Sequence, residues 1–139
     1  MEIITVGEQT VTSKSAVQFQ TALSTGSSSI WWRIGSGLVN LRGLGPQSRA
    51  RFRVVYHANV ALAADATVTP ITLAVTIGGE PISPSQTIST PGAVSEYNSV
   101  SATTLIDVPF GCCTTISLSN LSDSDITIQD ANLIVERVA

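Results

Sequence analysis

Charge is scarce in this sequence. Only 12% of its residues are Asp, Glu, Lys or Arg, about half the share usual for a globular domain. Ten acidic against seven basic residues leave a formal net charge of −3. That is too small to imply a polyanionic or polycationic partner, and the lack of an overall basic footprint disfavours non-specific nucleic-acid binding, so no nucleic-acid partner is expected. Cysteine is nearly absent. The two that exist, Cys112 and Cys113, are adjacent, which strains a disulfide and denies the spacing a metal needs. They read as reduced thiols at a strand start, at least one of them facing the core. His57 is the only histidine. It lacks Cys or carboxylate ligands at metal spacing, and no G-x-S-x-G elbow surrounds any serine, so it is given no catalytic role. Gly35, Gly37, Gly43 and Gly45 make no phosphate loop, because no helix follows them. Asp123, Asp125 and Asp130 lack the closing glutamate of a calcium loop and read as solvated turn residues. No catalytic, metal-ligating or cofactor-binding residue is therefore assigned. No run approaches the length that spans a bilayer, and the first residues lack the basic start and apolar stretch of a leader, so neither membrane insertion nor a cleaved signal is expected.

What is present is strand. Apolar residues make up 43% of 139, enough for one domain that buries roughly two thirds of its unfolded surface. The stretch Arg49–Leu62 alternates with period two. Ala50, Phe52, Val54, Tyr56, Ala58 and Val60 share one side; Arg49, Arg51, Arg53, Val55, His57 and Asn59 share the other. Such a segment is one long strand with one face in a core. Ile71–Ile77 alternates as clearly, and Gly78-Gly79 after it suits a tight hairpin. Further strands are expected at residues 30–34, 38–41, 80–82, 96–108, 113–120 and 126–138, and a short one through Val17, Phe19 and Thr21. Residues 82–93, with Pro84 and Pro91, read as loop or edge. Residues 1–16 are either a first strand or an arm that orders on a partner, and residues 17–139 form the domain proper. No helical period appears anywhere. Roughly eight to ten strands with regular turn signals mean an all-β sandwich or barrel, and long strands separated by short ones favour a jelly roll. Leu133, Ile134 and Val135 are consecutive and apolar, so both faces of the last strand should be covered, one by the core and one by a neighbouring subunit. The low charge, with Ser, Thr and Asn in its place, also suggests surface covered by subunits or built for robustness outside a cell.

The succession RFRVVYHANVAL, PITLAVTIGGEPI, EYNSVSATTLIDVPFGCCTTISLSN and ITIQDANLIVERVA resembles the TNF/C1q-type jelly roll. Within it, SGLVNLRG, ARFRVVYHANVAL, IDVPFGCC and the ending NLIVERVA are similar to small phage-encoded proteins grouped with head-fibre or virion-surface proteins. The resemblance covers about residues 17–139 and implies a homotrimer with the C-terminal strand at its axis. It implies a virion protein made in the bacterial cytoplasm, a structural and adhesive head-fibre or capsid-decoration knob that docks on the capsid, or another virion protein, through its N-terminal segment. A free carbohydrate- or receptor-binding lectin-like module is the alternative, and an enzyme with a site between subunits is a remote third.

Candidate interface residues are Arg51, Arg53, Tyr56 and His57 on the long strand and Leu133, Val135 and Arg137 on the last. The three arginines at 49, 51 and 53 line one face. Three explanations stay open for them: pairing within the sheet to Glu136, Asp107 or Asp130; inter-subunit pairs near a threefold axis; or a bound anion or acidic glycan. Trp31 and Trp32 face opposite ways on a strand, so one is core and the other is subunit interface or an exposed stacking platform for a host-surface glycan. Asp65, Gln86 and Asp123 join the pair as candidate recognition residues, in outer loops at 63–69, 84–95 and 122–125.

Overall fold

The computed structural model describes residues 1–26, 28–45, 48–111 and 113–139. Twelve strands and one short 3-10 turn make up its regular structure, and no α-helix occurs among the described residues. The strands are β1 (Glu2–Ile4), β2 (Glu8–Val11), β3 (Thr21–Ser24), β4 (Ile30–Trp32), β5 (Val39–Arg42) and β6 (Arg49–Leu62). They continue with β7 (Ile71–Ile77), β8 (Glu80–Pro81), β9 (Thr87–Ser89), β10 (Asn98–Pro109), β11 (Cys113–Asn120) and β12 (Ile126–Arg137). All pairings are antiparallel. The first sheet runs β10-β6-β12-β1-β3 with β2 also on β12; the second runs β4-β5-β11-β7-β8 with β9 also on β7. From β5 to β7 and again from β9 to β12 successive strands alternate between the sheets, which is the jelly-roll arrangement expected from the alternation of long and short strands.

β6 is the spine of the first sheet. It pairs with β10 along all twelve residues of that strand and with β12 on its other side. Ala50, Phe52, Val54, Tyr56, Ala58 and Val60 are all buried between the sheets, as the alternation requires. Ile71, Leu73, Val75, Ile116 and Leu118 face them from the second sheet. Tyr56 ties the two layers together. Its hydroxyl donates to the Ser85 carbonyl at 2.6 Å, lies 3.1 Å from the Thr87 hydroxyl, and is wholly buried. Ser85 is held in turn on β7, because its hydroxyl accepts from the Val75 N–H at 2.9 Å and donates to the Ile82 carbonyl at 2.7 Å. A buried tyrosine oxygen without such partners would cost about 1–3 kcal/mol, so this network explains why a phenol is tolerated in an aliphatic core.

Gly78 and Gly79 both have positive φ, at 57° and 90°, and close the β7–β8 hairpin as their sequence suggested. The strand expected through Val17 and Phe19 lies later, at Thr21–Ser24. Val17 and Phe19 are nonetheless fully buried, and the Val17 N–H donates to the Leu118 carbonyl at 2.8 Å. Period two was present there, but it marked a crossing segment that seals the end of β11. Residues 1–16, open to either reading, carry β1 and β2, which lie on β12 and bury Ile3 and Val11.

Three expected interface positions are corrected. Tyr56, Leu133 and Val135 are core residues with no exposed surface. Period two explains it: of the apolar run in β12, only Ile134 points outward, opposite Val55 on β6 and Glu2 on β1.

This packing predicts a sharp asymmetry along one strand. Phe52→Ala should cost about 3–5 kcal/mol in chemical denaturation, and Arg49→Ala, on the exposed side, no more than about 1 kcal/mol. Equal losses would mean the face is reversed.

Candidate interaction surfaces

The outer face of the first sheet gathers most of the residues singled out in the sequence. Register puts Asp107 opposite Arg51 and Leu105 opposite Arg53 on one side of β6, and Glu136 opposite Arg53 on the other. Directly opposed charges of unlike sign stabilise an antiparallel pair. Arg51 grips Asp107 with two parallel bonds, Nε to Oδ1 at 2.8 Å and Nη2 to Oδ2 at 3.2 Å. Arg49 reaches the same carboxylate at 3.6 Å. Arg53 donates through Nε to Glu136 Oε1 at 2.6 Å and also through Nη2. Two of the three carboxylates considered for the arginine face thus meet it, and the third does not. Asp130 lies at a bulge, where it and Ala131 together oppose the single residue Ala58.

That bulge shapes the surface. Asp130 has φ 54°, and the Ala131 N–H donates to the Thr5 hydroxyl at 2.9 Å. A shallow polar depression of about 270 Å³ results, lined by Glu2, His57, Asp130 and Asn132 among others. Asn132 donates to Glu2 at 3.0 Å. His57, expected among arginines, instead shares this depression with two carboxylates. Thr5 also lines the depression, its hydroxyl accepting from the Ala131 N–H. No cluster of metal-ligating side chains occurs among the described residues.

Between these polar groups the face is apolar. Val55 and Ile134 are cross-strand partners, Leu105 is 58% exposed one row away beside Arg53, and Ile4 lies one row away on the other side, in line with Asn132 and His57. Arg137 lies off this face, bonded to the Ser29 hydroxyl at 2.9 Å and the Ala139 carbonyl at 3.0 Å.

The recognition candidates do not form one site. Asp65 and Asp123 share one end of the sandwich, where the Ala63 N–H donates to the Asp125 carbonyl at 3.2 Å and Lys14 pairs with Asp123 at 3.5 Å. The loop before β10 joins them through the Ser95 N–H and the Leu62 carbonyl, 3.1 Å apart. Gln86 is exposed beside the turn that holds Tyr56. Trp31 and Trp32 lie on the edge strand of the second sheet and divide as their alternation demands. Trp32 packs on the core and donates its indole N–H to the Ser36 carbonyl at 2.9 Å. Trp31 is 47% exposed, opposite Asn40, with the Arg33 guanidinium 6.0 Å from its ring centre. Sequence reasoning missed Arg33 and Asn40, although i, i+2 spacing from Trp31 pointed to the first. Cys112 lies outside the described residues, and Cys113, at the start of β11, is exposed.

The hydrogen bonds from Arg51 hold the Asp107 carboxyl below its usual range, helped by the charges of Arg51 and Arg49 and opposed by partial burial; the same contact raises Arg51. A depressed carboxyl stabilises the fold above its unfolded value, about 3.9, and that contribution disappears as pH falls through the lower, folded value. Burial pushes the Tyr56 phenol up, with the Thr87 hydroxyl opposing it. Its contribution is intact below about 10 and is lost as pH rises past that value, because only the unfolded chain ionises freely. Thermal melts from acid to alkali should therefore fall at both ends. Asp107→Asn should lower the neutral plateau and flatten the acid limb, and Tyr56→Phe should flatten the alkaline limb. An unchanged acid limb in Asp107→Asn would show that the bridge contributes nothing.

No protein-family model matches the sequence, and no curated protein does. Solved structures do match the fold. The globular domain of zebrafish complement 1qA protein superposes with a TM-score of 0.53 at 11% identity, over 96% of this chain and 93% of that one. The family 35 carbohydrate-binding module from Cellvibrio japonicus Abf62 gives 0.39 at 14% identity, over 100% and 98%. The sugar-binding EclA C-terminal domain gives 0.38 at 10% identity, over 96% and 76%. The first supports the jelly-roll fold; the other two are too distant to carry an argument. This chain is an all-β jelly roll whose fold is similar to that of a complement C1q globular domain.

Proposed function

We propose that the chain is a non-catalytic assembly and binding module that forms a homotrimer, in the setting of a phage virion as a head-fibre or capsid-decoration knob. The observation that carries the trimer is the outer face of the first sheet. Val55, Ile134, Ile4 and Leu105 make an apolar strip there, and the charges beside it are already paired within one subunit. An arginine set repeated around a threefold axis is costly unless compensated, and Asp107 and Glu136 supply the compensation locally. The interface residues in this reading are Arg51, Arg53 and His57 together with Val55 and Ile134. Capsid attachment through residues 1–16 would use them in place, as strands of the sheet. Loops 63–69 and 122–125, with the residues before β10, would face outward.

A second reading is favoured by Trp31. An exposed indole beside Arg33 and Asn40 presents a stacking surface with polar neighbours, which suits a host-surface glycan.

Light scattering behind size exclusion tests the first reading. The mass should be near three times 14.5 kDa, and Val55→Glu or Ile134→Glu should give a folded monomer by circular dichroism. A monomeric wild type would remove the trimer. For the second, glycan-array signal should appear for the wild type and vanish in Trp31→Ala; an array without hits would remove it.

A further inference from the structure

The two ends of the sandwich differ in charge. The end built by residues 63–69, 90–97 and 121–125 carries Asp65, Glu96, Asp123 and Asp125, and Lys14 pairs there with Asp123. At the opposite end the turn after β10 meets the loop after β5. The Gly111 N–H donates to the Gly43 carbonyl at 3.0 Å and the Phe110 N–H to the Ser48 carbonyl at 2.9 Å. The approach is so close that a Cβ on Gly43 would fall 2.1 Å from the Pro109 carbonyl oxygen. Arg42 closes β5 on the outer side of the second sheet, and Arg49 opens β6 on the outer side of the first. Among the described residues the carboxylates toward this end are Asp107, held by Arg51, Glu136, held by Arg53 one row further in, and Glu80 on the far edge beyond Gly79. Among the described residues Arg49 has only its longer contact to Asp107, and a depression of about 290 Å³ opens beside it between Ser48, Arg51 and Ala139.

Apolar side chains sit among these cations. Phe110 is 61% exposed, Val138 46% and Leu44 40%. In a chain this poor in charge, arginines and bare apolar side chains collected on one end are an interaction surface rather than solvated decoration. We infer that this end docks an acidic protein segment carrying apolar side chains, its carboxylates taken by Arg49 and Arg42 and its apolar groups packed on Phe110. An extended polyanion fits less well. A glycan or nucleic-acid backbone offers Phe110 and Leu44 little to pack against. The inference rests on reading the chain as an assembly module, and it supplies an attachment surface outside residues 1–16.

The test is amide chemical-shift mapping on the full chain, with three probes. These are a synthetic peptide alternating glutamate with phenylalanine and leucine, its glutamine counterpart, and a heparin-derived oligosaccharide. The glutamate peptide should shift residues 42–45, 48–51 and 108–111. Arg49→Ala and Phe110→Ala should each weaken it about tenfold, and Asp123→Ala should leave it unchanged. Both substituted side chains are exposed, so the variants should fold. No shifts at this end, or equal binding of the glutamine peptide, would overturn the inference. Tighter binding of the oligosaccharide at the same residues would overturn the assignment to a protein partner. The mapping is read in whatever oligomer forms, so its failure is distinct from failure of the trimer.

Discussion

The pairing of β6 on both of its edges is the constraint on which the rest depends. One fourteen-residue strand sets the register of β10 and of β12 together. A slip of one residue against either neighbour would turn Phe52 and Val54 to solvent and bring Arg51 and Arg53 into the core. The charge pairs enforce the same register from outside, because Arg51 finds Asp107 and Arg53 finds Glu136 only in this alignment. These exposed bridges add little stability individually. Their larger effect is to penalise alternatives.

The interior answers the same demand across the gap between sheets. Tyr56 reaches from β6 to the turn at Ser83–Ser85, and Ser85 is fastened to β7. One tyrosine thereby fixes how the second sheet sits against the first. At the other side of β6 the bulge at Asp130 and Ala131 bends β12 and lets β1 and β2 each find their own register along it. The polar depression around His57 is a by-product of that adjustment. The outer face of the first sheet then sets the paired charges of Arg51 with Asp107 and Arg53 with Glu136 beside the apolar side chains of Val55, Ile134 and Leu105.

Much of the fold was legible. β6, β7 and β11 appear with the bounds their alternation gave, because a half-buried strand writes period two directly into its residues. The division of Trp31 from Trp32 followed from the same rule. Among the short elements, β4, β5 and β8 lie where strands were expected, at residues 30–34, 38–41 and 80–82, but β3 does not. Val17 and Phe19 alternate and are buried, yet they cross the end of β11 rather than form the strand expected there. Three apolar residues in a row suggest two covered faces and so an interface at Leu133 and Val135, but both are core. The run contains one outward residue, Ile134.

The sequence by itself determined the class, the long strands and the sidedness of β6, since each follows from local residue spacing. Only the tertiary structure decided which carboxylates the arginines meet, that residues 2–11 join the sheet, and that Leu44, Phe110 and Val138 share an end with Arg42 and Arg49. Those facts depend on pairings between residues distant in the chain, such as Arg51 with Asp107 and Glu2 with Ile134. Strand order sets them, and a period-two pattern carries no information about which strand lies beside which.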